Sequence, residues 1–337
     1  MRILFLSTQF YPTIGGIQTN SEYLIEHFIR NKNEVILMTK TKMTIAEKNI
    51  FNFEIYDKPS RKKINELHEW ADIIYHNNIT LSLSSLKLKH FKKTIVTSQY
   101  WLDKENTFRY LMQKLFLILS VQNVFISKCI KKDINLSGEI IPNFYNEKIF
   151  FSIKSSSKKQ KEILFVGRMT DEKGVDILIK AVKKIEKNLS NGDVSIIGPG
   201  NELNAYKKLA KELKIFHLFN FLKKKNKELN KYYNSHKIHV VPSKKEPFGI
   251  VTLEGCAAGC IGILSNMYGL SEFDKRIFQF YNNNNHTELA KVIKKNMITP
   301  KIINNHIRKK YLSKYNLKTI GDKYLKTFTK IYKKNNV

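Results

Sequence analysis

Cysteine is scarce: the 337 residues contain three, Cys129, Cys256 and Cys260. An odd count without metal-like spacing excludes a disulfide framework and a cysteine zinc site, and suits buried thiols in a reducing compartment. Long apolar runs are also missing. None reaches the ~18 to 20 residues that cross a bilayer, and the apolar part of the opening MRILFLSTQFYP is too short for a signal peptide, so a cytoplasmic location is expected. No repeat of solenoid length is present. Acidic residues are few, 29 against 59 lysines and arginines, for a formal net charge of +30. Residues 1–150 hold 21 basic and 14 acidic side chains, and residues 151–337 hold 38 and 15. Such a surface can meet an anionic membrane or nucleic acid. The lysines are spread along helical segments with no arginine-rich tract. Solvated faces therefore carry most of this charge, an anionic inner membrane surface follows as partner, and nucleic acid comes last.

What is present is a globular chain with 42% hydrophobic residues and 21 phenylalanines, long enough for two cores. Short apolar runs alternate with helical patterns. RILFLST, EVILMTK, DIIYHNN and KKTIVTSQYW read as strands, with helices predicted in IQTNSEYLIEHFIRNKN, PSRKKINELHEW and LSLSSLKLKHF. Residues 104–120 are expected to pack in the core, with a membrane interface as the other reading. After a serine-rich and charged stretch the alternation resumes with ILFVG, DVSIIGPG, IFHLFNF, IHVVPS and CIGILSN. This rhythm predicts two parallel-sheet α/β domains, residues 1–152 and 161–315, with a linker at 153–160. A helix at 316–337 has spaced Leu, Ile and Phe that suit packing on the first domain. Ligands of such sheets bind beyond the carboxyl ends of the strands.

Two stretches carry chemistry. In ILFVGRMTDEKGVDI a strand stops at Gly167, and Arg168, Lys173 and Gly174 precede a helix. Free N–H groups at a helix start favour phosphate, and the two cations offer a rigid fork and a mobile point charge. An ordinary joint with solvated charges would have the same pattern. In HVVPSKKEPFGIVTLEGCAAG a strand ends at Pro242 and Ser243, Glu246 lies in the loop, and Glu254 follows on a helix opened by Gly249. The two carboxylates could hold the hydroxyls of a sugar and a ribose, or be a solvated loop glutamate and a locally bonded helix glutamate. Gly15 and Gly16 stand in the first strand-to-helix loop, where a ligand or a tight turn would need them.

Together, Glu246-x7-Glu254 with PFG between, GRMTDEKG, GPG at 198–200, the GG pair, FIS at 125–127 and IPNFYNEKIF at 141–150 resemble the retaining glycosyltransferases of family 4 over nearly the whole chain. That resemblance implies the GT-B fold, two Rossmann-like domains facing each other across a deep cleft. It implies a nucleotide-sugar-dependent hexosyltransferase using a UDP- or GDP-sugar as substrate and a glycan or lipid-linked acceptor in polysaccharide, lipopolysaccharide or capsule synthesis, peripheral on the membrane. In the family pattern Arg168 and Lys173 bind the donor diphosphate without a metal, and none of the nine aspartates stands in a D-x-D spacing. Glu246 and the N–H groups of Phe248 and Gly249 position the hexose, Ile250 lies beside them among the donor-binding residues, and Glu254 holds the ribose. Gly167, Gly198 and Gly200 line the nucleotide side. Gly15 and Gly16 let the first loop close on donor and acceptor.

Two departures stand out. Where many relatives carry a histidine after the fourth N-terminal strand, this chain has Ser98, Gln99 and Tyr100, and His76 is the alternative imidazole. Asn220 replaces a glycine at a strand-to-loop junction, with a small loop change expected. A nucleotide-sugar epimerase or phosphorylase, or a non-catalytic binder of anionic membrane or nucleic acid, would share the fold. Donor base, sugar, linkage and oligomeric state stay open in the sequence.

Overall fold

The computed structural model describes residues 1–13, 15–153, 160–224, 226–301 and 303–336. The chain divides into two compact units, Met1–Phe144 with Leu317–Val337, and Tyr145–Asn316. The expected linker at 153–160 falls largely on 154–159, outside the described residues.

In the first unit the apolar runs form β1 (Arg2–Ser7), β2 (Glu34–Thr39), β3 (Glu54–Asp57), β4 (Ile73–Asn77), β5 (Thr94–Ser98), β6 (Gln122–Phe125) and β7 (Glu139–Ile140). They pair in the order β3-β2-β1-β4-β5-β6-β7, and every ladder is parallel. Both faces of this sheet are covered, which is why β1 is a continuous apolar run and not an alternating one. The helices are α1 (Gly16–Arg30), α2 (Ile45–Lys48), α3 (Arg61–Trp70), α4 (Leu88–Phe91), α5 (Thr107–Leu119) and α6 (Lys128–Ile134). The strand order reverses direction after β3, so right-handed crossovers put α1 on one face and α3, α4 and α5 on the other. Successive residues of β4 show it: the Tyr75 ring meets Phe28 of α1 at 6.5 Å and the His76 ring meets Phe116 of α5 at 5.0 Å.

Two expectations fail here. The helix predicted over LSLSSLKLKHF is reduced to a single turn at Leu81–Leu83 and the four residues of α4. Its serines bond elsewhere instead, Ser84 Oγ to the Thr80 carbonyl at 2.9 Å and Ser85 Oγ to Asn65 Oδ1 at 3.1 Å. Residues 104–120 do form a helix, α5, but only Phe116 and Leu117 of it are buried. The sheet covers one side of α5, and the remaining apolar residues face outward.

The second unit contains β8 (Lys161–Val166), β9 (Val194–Ile197), β10 (Phe219–Leu222), β11 (His236–Val241), β12 (Ile261–Ser265) and β13 (Gln279–Tyr281), ordered β10-β9-β8-β11-β12-β13. These ladders are also all parallel. Around them pack α7 (Val175–Lys184), α8 (Leu203–Glu212), α9 (Asn226–Ser235), α10 (Ile250–Ala257), α11 (His286–Ile298) and α12 (Asn305–Leu312). The core centres on Ile163, Phe165, Leu178, Ile196 and Val240. Asn220 corrects another expectation. It lies within β10 and not in a left-handed loop, and its Nδ2 donates to the Gly192 carbonyl at 2.8 Å.

The chain then returns to the first unit as α13 (Leu317–Asn335). Leu317, Ile320, Tyr324, Phe328 and Ile331 recur at three or four residues and form its buried stripe. Phe328 lies 5.2 Å from both Phe28 and Tyr75, and the Tyr324 and Thr97 hydroxyls share a 3.2 Å hydrogen bond. Among the described residues no helix is long and apolar enough to cross a membrane.

Candidate functional site

In the second unit β9, β8 and β11 are neighbours, so the loops after them converge beyond one sheet edge. Their backbones touch too closely for side chains. Gly174 has φ +66, and a Cβ there would overlap the Pro242 carbonyl oxygen; at Gly198, φ +150, it would overlap that of Gly167. Gly200 stands in the same turn, anchored where Met169 N donates to Pro199 O at 2.7 Å. Lys244 N donates to Glu172 O at 2.8 Å, which joins the loop after β8 to the loop after β11. The Lys244 ammonium reinforces the junction through Asp171 at 2.6 Å and Asp176 at 3.2 Å.

This junction brings Lys173 and Glu246 together, with Lys173 Nζ donating to Glu246 Oε2 at 2.6 Å. Both side chains are largely buried. Ser243 Oγ approaches the same carboxylate oxygen at 3.4 Å. Arg168, in the same loop as Lys173, is exposed and has no ion-pair partner among the described residues. One cation of the loop is thus compensated and the other is not. Gly167, before Arg168, holds the loop to β9 through its N–H on Ile197 O at 3.0 Å.

Beyond Glu246, Phe248 is buried against Phe273 at 5.3 Å and Tyr315 at 6.2 Å. Gly249, φ +91, caps α10, which begins at half-buried Ile250. Of the N–H groups in that first turn, Thr252 N donates to the Gly249 carbonyl at 3.0 Å, and a helix start leaves those before it without an intrahelical acceptor. Glu254 lies one turn further along, buried, and accepts a 2.9 Å hydrogen bond from the Tyr233 hydroxyl of α9. Burial pushes the Glu254 carboxyl up to about 7, only partly opposed by that hydrogen bond. Thr252 Oγ1, also buried in α10, has no hydrogen-bond partner among the described residues. Tyr233, Ser243, Lys244 and Thr252 were not singled out by sequence reasoning. Tyr233 reads there as one more apolar helix position, with no local signal that its hydroxyl reaches Glu254.

Gly15 and Gly16 belong to the first unit, at the start of α1. The Gly15 backbone is extended, φ 177, and its nearest obstacle is the flexible Gln18 side chain. Nothing in its conformation demands glycine. At the ends of β4 and β5, Gln99 is buried, donating to Asn77 Oδ1 at 2.9 Å and accepting from Asn143 Nδ2 at 3.0 Å. Both ends of that amide are therefore already engaged. Ser98 is buried without a hydrogen-bond partner for Oγ among the described residues, whereas Tyr100 is 40% exposed. His76, the alternative imidazole, is buried beneath Phe116, and burial pushes it down to about 3.

No group of three or more His, Cys, Asp or Glu among the described residues could hold a metal ion. The family described as glycosyl transferases group 1 matches residues 146–315. An uncharacterized glycosyltransferase of Methanocaldococcus jannaschii is 27% identical, over 82% of this chain and 83% of that protein. A glycosyltransferase from Rickettsia africae ESF-5 superposes with a TM-score of 0.80 at 17% identity, over 98% of each chain. Anabaena HepE in complex with UDP gives 0.78 at 16% identity, over 98% of this chain and 100% of that one. These solved structures share the two-sheet GT-B fold.

Proposed function

The chain belongs to the group 1 glycosyltransferases, and from that premise we propose that it moves a hexose from a UDP- or GDP-sugar, with retention, to a surface-glycan or glycolipid acceptor. The observation that carries this reading is the loop of Arg168 and Lys173 held against Glu246 at the start of α10. Glu246 already balances Lys173, so Arg168 supplies the uncompensated charge for the donor diphosphate. As the bond from the anomeric carbon to the phosphate oxygen breaks, negative charge grows on that oxygen, and the fixed cations and the positive end of α10 stabilise it. The acceptor hydroxyl attacks from the departing face and gives its proton to the leaving phosphate oxygen, so no enzymic nucleophile and no metal are used. Glu246 and the N–H groups of Phe248 and Gly249 orient the hexose, and Glu254 takes the ribose hydroxyls. UDP is preferred as the donor nucleotide because the similarly folded HepE is in complex with UDP. The net charge of +30 supports action at the anionic cytoplasmic face of a membrane.

The test is thermal stabilisation by UDP-, GDP-, ADP- and dTDP-sugars with and without EDTA. A shift with UDP-sugars that survives EDTA is expected, and no shift with any nucleotide would contradict the reading. Arg168→Ala with Lys173→Ala is expected to lower turnover by about 10² or more. Near-normal turnover by that double variant would remove the diphosphate role.

A further inference from the structure

Helix α5 carries six large apolar side chains that the fold leaves exposed to a large extent. Phe108, Leu111, Met112, Leu115, Ile118 and Leu119 are between 38% and 75% exposed. At ~100° per residue they fall within about 120° of the helix circumference, as wide as the apolar stripe that a surface helix normally turns to its core. The inner side of α5 is already satisfied, with Phe116 against Phe91 at 5.5 Å and against His76. The helix thus has two apolar faces, one spent on the fold and one unspent.

We propose that this outer face of α5 is the surface by which the protein docks on an anionic lipid bilayer. The inference rests on the membrane-face part of the proposed function and is independent of the donor chemistry. Charge selects the occupant. The helix holds Arg109 and Lys114 and no acidic residue, and Arg109 pairs with Asp103 before it at 3.2 Å. Lys114 also ties α5 to α6 through the Ile134 carbonyl, and α6 adds Lys128, Lys131 and Lys132 against Asp133 alone. A second copy of a chain with net charge +30 would bring like charge to that rim, whereas anionic headgroups bring the opposite charge. An apolar stripe rimmed by cations lies in the interfacial plane, with the apolar residues among the upper acyl chains and the cations at the phosphates. The acceptor substrate of a membrane-face transferase would then reach the first unit without leaving the lipid surface.

The experiment is co-sedimentation of the full chain with vesicles of phosphatidylcholine alone and of phosphatidylcholine mixed with phosphatidylglycerol. Wild type is expected to bind the mixed vesicles, and Leu111→Gln/Leu115→Gln/Ile118→Gln to bind at least about tenfold more weakly. That variant should keep the wild-type circular dichroism and the nucleotide-sugar shift in Tm. Leu111→Trp should add blue-shifted emission only with the mixed vesicles. Wild type that ignores both vesicles, a triple variant that binds as wild type does, or a wild-type dimer that the triple variant abolishes while vesicle binding persists would overturn the proposal. Vesicle binding without any nucleotide-sugar shift would instead remove the transferase reading and leave the docking face standing.

Discussion

A carboxyl pushed up to about 7 makes Glu254 the residue where stability and ligand binding pull in opposite directions. The folded state keeps its proton between the ordinary carboxylate range and pH ~7 while the unfolded state has lost it, so stability falls as pH rises through that window. Glu254→Gln keeps an acceptor for the Tyr233 hydroxyl and has no charge to bury. It is expected to melt higher than wild type at pH 8, with the advantage vanishing near pH 4.5, and to lose the nucleotide-sugar shift. A melting series across pH, with and without donor, checks both signs. If ribose hydroxyls bind the ionised carboxylate, wild type should also release a proton on donor binding near pH 6.5, visible in calorimetry with two buffers of different ionisation enthalpy, and the variant should not. Glu254 was legible in the sequence because a glutamate on a helix after a buried strand is conspicuous. Its partner was not: Tyr233 and Glu254 are 21 residues apart on different helices, and Lys173 and Glu246 are 73 apart. Spacing along the chain shows which loops converge, not which atoms meet.

Among elements, the loop between β8 and α7 presses backbone against its glycine, Gly174, and the loop before α1 meets Gly15 only with a side chain. Gly174→Ala puts a Cβ against the Pro242 carbonyl oxygen at φ +66. Neither group can yield, so a loss of roughly 3 kcal/mol is expected, together with weaker donor binding as Lys173 shifts. Gly15→Ala meets only the Gln18 side chain on extended backbone and should cost less than about 1 kcal/mol. Urea unfolding of the two variants measures the contrast. The sequence marked both glycine sites but could not rank them, because a left-handed φ is a property of the folded loop. Most strands were legible as apolar runs since parallel strands are covered on both faces. The misses have different reasons. The edge strand β3, EIYD, buries only Ile55, too little apolar pattern to read. The segment 81–91 has helical spacing, but its serines bond the backbone and Asn65 instead. In α5 the apolar pattern was misleading about burial, since periodicity reports a face and not what covers it.

At the scale of the whole molecule, 59 basic against 29 acidic side chains make self-repulsion a general load on the folded state. Raising sodium chloride from about 20 to about 200 mM shortens the Debye length from roughly 20 to 7 Å and is expected to raise Tm. Calorimetry in the two salts tests this, and a Tm that fell would mean that favourable ion pairs outweigh repulsion. Acid acts through a second route. His68 and His76 of the first unit are held neutral by burial, down to about 4 and about 3. The stability they contribute is complete above pH ~6.5 and is lost as pH falls through those values.

The position of α13 also sets an order of assembly. Phe28 and Tyr75 are covered by Phe328, so the unit whose strands leave the ribosome first lacks part of its core until the segment Leu317–Asn335 has been translated. The unit spanning Tyr145–Asn316 is continuous in sequence and has all its strands before then. Synthesis from the N-terminus usually lets the first domain fold first. Here the second unit can be complete while the nascent first unit still shows an aromatic face, and a chaperone that binds exposed phenylalanine and tyrosine has its target in that interval.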